Sequence, residues 1–319
     1  MKYAYYPGCS LERSAASYHT SSLAVADRLG LVLEEIQDWN CCGATEYFSI
    51  NKVAAYSLVA RNLALVADDL TELAAPCSAC YVNLRKTNKH MGKYPALAAQ
   101  VNEALAAGGL QYKPNRVKVR HLLDIVVNDV GYDTIGQHVV RPLNGLRVAP
   151  YYGCLIVRPE NGFDSPEYPT SMDRLLRALG AEVVDYPLKA QCCGGHMTQI
   201  SDKVAYELIR RLLHNAAEYN ADVIACVCPM CQLNLDAYQG NVNRQFGTDF
   251  HIPILYFTQL MALAFGIDAR VAGLGSEIVS SQAALAKIDV EVPRQEEKRA
   301  RQRPSKDALP MPTMPDKEA

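Results

Sequence analysis

Ten of the eleven cysteines fall into two matching sets. Cys9, Cys41, Cys42, Cys77 and Cys80 follow C-x31-CC-x34-C-x2-C, and Cys154, Cys192, Cys193, Cys228 and Cys231 follow C-x37-CC-x34-C-x2-C. Thiolates are soft ligands, suited to iron–sulfur clusters, zinc or Cu(I). Four of them complete a tetrahedral zinc site or a cubane cluster. Each set offers a fifth. The side chains of the adjacent pairs, Cys41-Cys42 and Cys192-Cys193, diverge, so they reach different metal atoms of an extended cluster more readily than one tetrahedral ion. An iron–sulfur cluster is expected at each set, with zinc as the alternative, above all in the first. The eleventh, Cys226, lies in the apolar run Val223 to Val227 and reads as a small buried hydrophobe.

The flanks repeat as well. Tyr5-Tyr6-Pro7-Gly8-Cys9 echoes Tyr151-Tyr152-Gly153-Cys154, Cys41-Cys42-Gly43 echoes Cys192-Cys193-Gly194, and Cys80-Tyr81-Val82-Asn83-Leu84 echoes Cys231-Gln232-Leu233-Asn234-Leu235. Arg13 and Arg158 each lie four residues after the first cysteine of their set. They are candidates for holding an anionic substrate or offsetting cluster charge, a structural salt bridge being the plainer role. Asn83 and Asn234 are candidates to donate to cluster sulfur or to cap backbone groups, with helix capping the expected role, and the tyrosine pairs are expected to pack around the sites. His196, after Cys192-Cys193-Gly194-Gly195, has a side chain suited to proton transfer near neutral pH. Should His196 not serve, Lys189 or solvent is the next proton source to consider.

A five-cysteine pattern occurring twice is a duplication of a domain-sized unit. In the first copy, strand patterns at Tyr3–Tyr6, Val32–Ile36 and Leu73–Ala75 alternate with helical ones at Ser17–Leu29, Val53–Leu70, after Cys80, and at His121–Val130. In the second, Leu146–Tyr151, Glu182–Tyr186 and Asp222–Val227 are strand-like, and Ser171–Leu179, Lys203–Tyr219 and Tyr256–Phe265 helical. This alternation predicts two pseudo-symmetric, Rossmann-like α/β domains with mainly parallel sheets. All three cysteine groups of each copy then follow strands, so they converge on one sheet edge. The boundary is expected at Arg141–Asn144, giving cysteine-rich domains at 1–143 and 144–290. The charged, proline-rich stretch 291–319 predicts a disordered tail.

Length and charge narrow the function. The chain has 319 residues, with Lys plus Arg at 32 against Asp plus Glu at 34, a net charge of −2. That balance argues against nucleic-acid binding. No apolar run reaches membrane-spanning length and no leader pattern opens the chain, so a cytoplasmic protein is expected, or one held at a membrane through partners. A reducing compartment favours metal or redox roles for so many cysteines over disulfides. No GxGxxG fingerprint is present, so any flavin belongs to a partner.

The duplicated pattern resembles the cysteine-rich domains of the B subunit of heterodisulfide reductase. YYPGC, YYGCLIVRP, CCGG, CPMCQLNLD and AFGIDARVAGLG carry the resemblance, over about Met1 to Gly275. It implies a noncubane [4Fe–4S] cluster in each repeat, held by all five cysteines, with a disulfide cleaved between the clusters and each sulfur bound to iron. It also implies two partners, the iron–sulfur C subunit and the flavin-bearing A subunit of such a complex. Methanogen members carry a histidine after the cysteine matching Cys154; here the residue is Leu155, and His196 is the candidate acid instead. The Ala-rich, Arg-over-Lys composition suggests the bacterial heterodisulfide-reductase-like type, acting on a thiol or disulfide, free or protein-bound, in sulfur oxidation. Related domains also serve in electron transfer for flavin-dependent dehydrogenases, which is the second reading. A zinc-stabilised assembly module is the third.

Overall fold

The computed structural model describes residues 1–43, 47–158 and 162–289. The stretch 291–319 lies outside the described residues. The first half runs β1 (Lys2–Tyr5), α1 (Ala16–Arg28), β2 (Val32–Glu35), α2 (Tyr47–Ile50), α3 (Lys52–Ala64), β3 (Glu72–Ala75), α4 (Ser78–Lys93), α5 (Pro95–Ala106), β4 (Lys118–His121), α6 (Leu122–Ile125) and α7 (Tyr132–Gln137). A π-helical turn, Val126–Val130, joins the last two. The second half runs β5 (Arg147–Tyr151), α8 (Ser171–Ala178), β6 (Glu182–Val183), a 3-10 turn at Gly195–Gln199, α9 (Asp202–Glu218), β7 (Val223–Cys226), α10 (Pro229–Ala237), α11 (Gln239–Phe246), β8 (Ile254–Tyr256), α12 (Phe257–Ala264) and α13 (Gln282–Leu285).

Each half forms a four-stranded sheet, ordered β2-β1-β3-β4 in the first and β6-β5-β7-β8 in the second. Every pairing is parallel. This is the predicted α/β, Rossmann-like architecture in duplicate. Strand order reverses between β1 and β3, and between β5 and β7. At such a switch point the connections leave in opposite directions and open a crevice beyond the strand ends. Cys9, Cys77, Cys154 and Cys228 all lie just past these central strands.

Some elements differ from the sequence expectation. The Val53–Leu70 helix stops at Ala64, before the loop that carries Asp68 and Asp69. The strand expected at Glu182–Tyr186 pairs only at Glu182–Val183; Tyr186 turns inward and its buried hydroxyl donates to the Leu212 carbonyl at 3.0 Å. His121–Val130 is helical only from Leu122, because His121 ends β4 and caps the helix that follows.

The halves are tied together at a seam. The first helix of each packs on the other half: α1 against α12, and α8 against α7. The Tyr18 ring on α1 stacks on Tyr256 at 4.1 Å and 5°. Ser21 and Thr258 share a buried hydrogen bond of 2.7 Å, and the Arg28 guanidinium donates to the Phe265 carbonyl at 2.9 Å.

Candidate functional site

Each half brings its five predicted cysteines to the ends of its central strands, and the two arrangements match contact for contact. In the first, Cys9 and Cys41 sulfurs are 3.6 Å apart and Cys42 and Cys80 are 3.4 Å apart, with Cys77 against Cys80. In the second, Cys193 and Cys231 are 3.6 Å apart, Cys154 lies against Cys192, and Cys228 against Cys231. The sets meet, because Cys77 and Cys228 touch across the seam. Six sulfurs are thus linked neighbour to neighbour: Cys42, Cys80, Cys77, Cys228, Cys231, Cys193.

Local backbone chemistry explains the convergence. Cys77 and Cys228 are the N-cap residues of α4 and α10, and Cys80 and Cys231 sit in the first turns. Backbone N–H groups and the helix dipole at that end favour thiolate. Gly8 and Gly153 turn the chain before the first cysteine at φ +76° and +68°. A Cβ there would stand 3.0 Å from Cys80 Sγ and 2.9 Å from Cys231 Sγ, so only glycine lets the sulfurs in.

The tyrosines correct the sequence alignment by one residue. The Tyr6 hydroxyl donates to the Asn40 carbonyl and the Tyr151 hydroxyl to the Gln191 carbonyl, each at 2.8 Å. Those carbonyls directly precede Cys41 and Cys192. Tyr6 therefore matches Tyr151, and both buried rings hold a CC turn from below. Asn83 and Asn234 do not cap helices. The Asn83 side-chain amide donates to the Cys42 carbonyl at 3.3 Å. That of Asn234 donates to the carbonyls of Cys193 at 3.2 Å and Gly195 at 2.8 Å, and lies 3.6 Å from Cys193 Sγ. Their role is to brace the CC turns.

Crowding sets the thiol acidities. The neighbouring Cys154 thiol donates to Cys192 and pulls its pKa down to about 6. Donation from Cys231 and Cys77 holds Cys228 well below the ordinary thiol range. The donating partners move the other way: contact with Cys192 raises Cys154, and contact with Cys41 raises Cys9. Packing of this kind favours the thiolate at Cys192 and Cys228 and the thiol at Cys154, Cys77 and Cys231. The donor sets consist of thiols alone, with no imidazole or carboxylate in these contacts, and that chemistry fits iron–sulfur or zinc.

The remaining predicted residues are placed less centrally. Arg158 lies near enough to Cys154 and Cys192 to favour both thiolates. Among the described residues neither Arg13 nor Arg158 forms a salt bridge, so the plainer expectation for them finds no support there. His196 is half-buried in the 3-10 turn after Gly194-Gly195. Lys189 is only 1 % exposed, is ion-paired with Asp173 at 2.9 Å and sits 3.8 Å from the Tyr168 ring centroid. It braces the loop before Cys192 and is no free proton source. Cys226 is buried in the core, apart from the linked sulfurs.

Sequence reasoning missed the seam at the centre of the site. The Tyr18 hydroxyl faces two carbonyls, Pro76 at 3.1 Å and Val227 at 3.4 Å, the residues before Cys77 and Cys228. Ser78 Oγ adds a 3.4 Å bond to the Val227 carbonyl. His121 is fully buried, and burial pushes its pKa down to about 4. Its Nδ1 accepts from the Leu123 N–H at 3.1 Å, which leaves the Nε2 proton facing Ser78.

The cysteine-rich domain family, CCG, matches residues 3–85 and 148–236, the two stretches that carry the linked sulfurs. The chain belongs to the CCG family, in duplicate. Relatives of this CCG protein are similar over nearly their whole length. The 8-methylmenaquinol:fumarate reductase membrane anchor subunit of Wolinella succinogenes is 32% identical, over 88% of this chain and 98% of its own. The B subunit of the ferredoxin:CoB-CoM heterodisulfide reductase of Methanosarcina mazei is 29% identical, over 88% and 95%. A protein of Archaeoglobus profundus, itself described as like the B subunit of heterodisulfide reductase, is also 29% identical, over 86% and 94%. Among solved structures, a hypothetical protein from Helicobacter pylori shares the fold, with a TM-score of 0.70 at 14% identity, covering 88% of this chain and 52% of that one. Among the described residues no helix is long and apolar enough to cross a membrane.

Proposed function

We propose that this CCG protein is the B subunit of a heterodisulfide-reductase-like complex and interconverts a disulfide and thiols. The observation that carries this reading is the pair of five-thiol sets meeting at Cys77 and Cys228. Cys9, Cys41, Cys42, Cys77 and Cys80 would hold one noncubane [4Fe–4S] cluster, and Cys154, Cys192, Cys193, Cys228 and Cys231 the other, in units spanning 1–143 and 144–290. Such clusters supply single electrons and an iron that accepts sulfur.

The chain's own residues supply the rest. Cleavage of a disulfide takes up two electrons and yields two thiolates, which leave as thiols once protonated. His196 is the donor in this reading, its ring N–H passing to a product sulfur. Arg158 holds negative charge beside Cys154 and Cys192. The buried tyrosines Tyr6 and Tyr151 keep water from the inner face of the sulfurs. Electrons come from, or in sulfur oxidation go to, the iron–sulfur C subunit and the flavin-bearing A subunit of the complex. The complex would be cytoplasmic or membrane-associated through those partners.

Metal and acid-labile sulfide analysis of anaerobically purified protein, with Mössbauer spectra, tests this. About eight irons per chain are expected for two four-iron clusters. Stoichiometric zinc without iron would sink the proposal.

The Wolinella relative favours a second reading, electron transfer within a flavin-dependent dehydrogenase. In that case added thiols would leave the cluster spectra unchanged.

A further inference from the structure

Two buried side chains hold equivalent places beside the sulfurs, and only one of them is satisfied. In the first sheet His121 ends β4 and pairs in register with Ala75, two residues before Cys77. In the second sheet Tyr256 ends β8 and pairs with Cys226, two residues before Cys228. Their exposures are 0 % and 1 %. His121 commits its ring to the protein. Its Nδ1 accepts from the Leu123 N–H, its Nε2 faces Ser78, and the carbonyls of Val227 and Pro76 lie within hydrogen-bonding reach. The Tyr256 hydroxyl is buried and has no hydrogen-bond partner among the described residues. The sequence holds one reason. The residue after Cys77 is Ser78, whose hydroxyl faces His121, but the residue after Cys228 is Pro229, which has no polar side chain.

The Tyr256 ring is clamped in place. It stacks on Tyr18 at 4.1 Å with 5° between the planes, and the Tyr18 hydroxyl is itself fixed on the carbonyls before Cys77 and Cys228. A ring held this way does not turn to seek an acceptor elsewhere. Its surroundings are the meeting point of the two thiol sets. Burial first, then negative charge at Cys226, Cys228, Cys77 and Cys231, raises the Tyr256 pKa well above the ordinary phenol range, so the hydroxyl keeps its proton. A buried hydroxyl left without a partner is destabilising, and phenylalanine would fill the same space without that cost.

We propose that the Tyr256 hydroxyl donates a hydrogen bond to a sulfur of the iron–sulfur centre held by the Cys228 set, and so holds the reduction potential of that centre up. Reduction adds negative charge to the sulfurs, and a fixed donor beside them favours the reduced state. His121, committed to Ser78 and the backbone, does not serve the first set in this way. The proposal rests on iron–sulfur centres at the two sets and not on the disulfide chemistry proposed above.

The test uses the full chain, purified anaerobically and with its iron measured. Tyr256→Phe keeps the stacked ring and removes only the hydroxyl. Reductive titration followed by paramagnetic resonance should find the iron retained and one metal signal shifted to lower potential, by about ten-fold in the reduction equilibrium, or about 59 mV for one electron. Electron–nuclear double resonance should show a proton coupling in the native protein that exchanges in D2O and is missing from the variant. Tyr186→Phe is the control, since that buried hydroxyl donates to the Leu212 carbonyl at 3.0 Å. It should lower the melting temperature and leave both potentials in place. Unmoved potentials in iron-loaded Tyr256→Phe, or an equal shift in Tyr186→Phe, would overturn the proposal. So would a native protein with no exchangeable proton coupling, a measurement that does not depend on how the variant folds. Zinc in place of iron would sink both this proposal and the function above, whereas iron with unmoved potentials sinks this one alone.

Discussion

The two halves keep the same sulfur scaffold in different surroundings. Cys41 and its counterpart Cys192 are both exposed, but Cys9 is exposed where Cys154 is half-buried near Arg158. The first CC turn is described as far as Gly43. The second continues through Gly194-Gly195 into the 3-10 turn that carries His196, and the Gly194 N–H donates to Cys192 Sγ at 3.4 Å. Asn83 braces its turn with one backbone bond, Asn234 with two. The pocket beside Arg13 measures about 290 Å³ and the one beside Arg158 about 970 Å³. The thiol geometry is thus common to both halves, while among the described residues Arg158 beside the thiols, the 3-10 turn and a second backbone brace belong to the second site.

The harshest way to break this comparison is to remove a shared element. Cys42→Ala and Cys193→Ala should each cost about four irons, one cluster's worth, with the other half's spectrum retained. Iron assay and Mössbauer spectra read the outcome; unchanged iron in both variants would mean the adjacent pairs are not ligands. A gentler change tests the asymmetry. His196→Gln should keep both clusters and slow disulfide turnover by roughly 10²-fold, within the range for a lost general acid. A native rate and pH profile would return His196 to a loop role and leave solvent as the proton source, since Lys189 is tied to Asp173. The smallest effect distinguishes the braces. Asn234→Ala, which strips a 1 %-exposed side chain from two carbonyls, should destabilise by about 1–3 kcal/mol. Asn83→Ala should cost about 1 kcal/mol or less. Thermal unfolding of the two variants compares them; an equal loss would show the braces to be equivalent.

Much of this was legible in the sequence because it repeats. Ten cysteines at matching intervals announce the duplication, and the apolar runs before them announce the strands. The misreadings have physical causes. The charged β4, with Arg120 satisfied by Asp124 and Asp129, does not look like a buried strand. The extra Pro7 hid the match between Tyr6 and Tyr151. Asn83 and Asn234 resemble capping residues by type, yet their partners lie about forty positions away, where local pattern gives no signal. Tyr18 reads as an ordinary core aromatic on α1. Its work depends on Pro76 and Val227, which only the meeting of the halves brings together.

That meeting point limits how the protein can be taken apart. Because Tyr18 serves the carbonyl before Cys77 and the carbonyl before Cys228 at once, a substitution there cannot be tuned for one half alone. A chimera that joins the N-terminal half of one relative to the C-terminal half of another must bring a compatible residue at each side of the Tyr18–Tyr256 stack. Although its sequence is written as two modules, the molecule can be inherited, swapped or redesigned only as one.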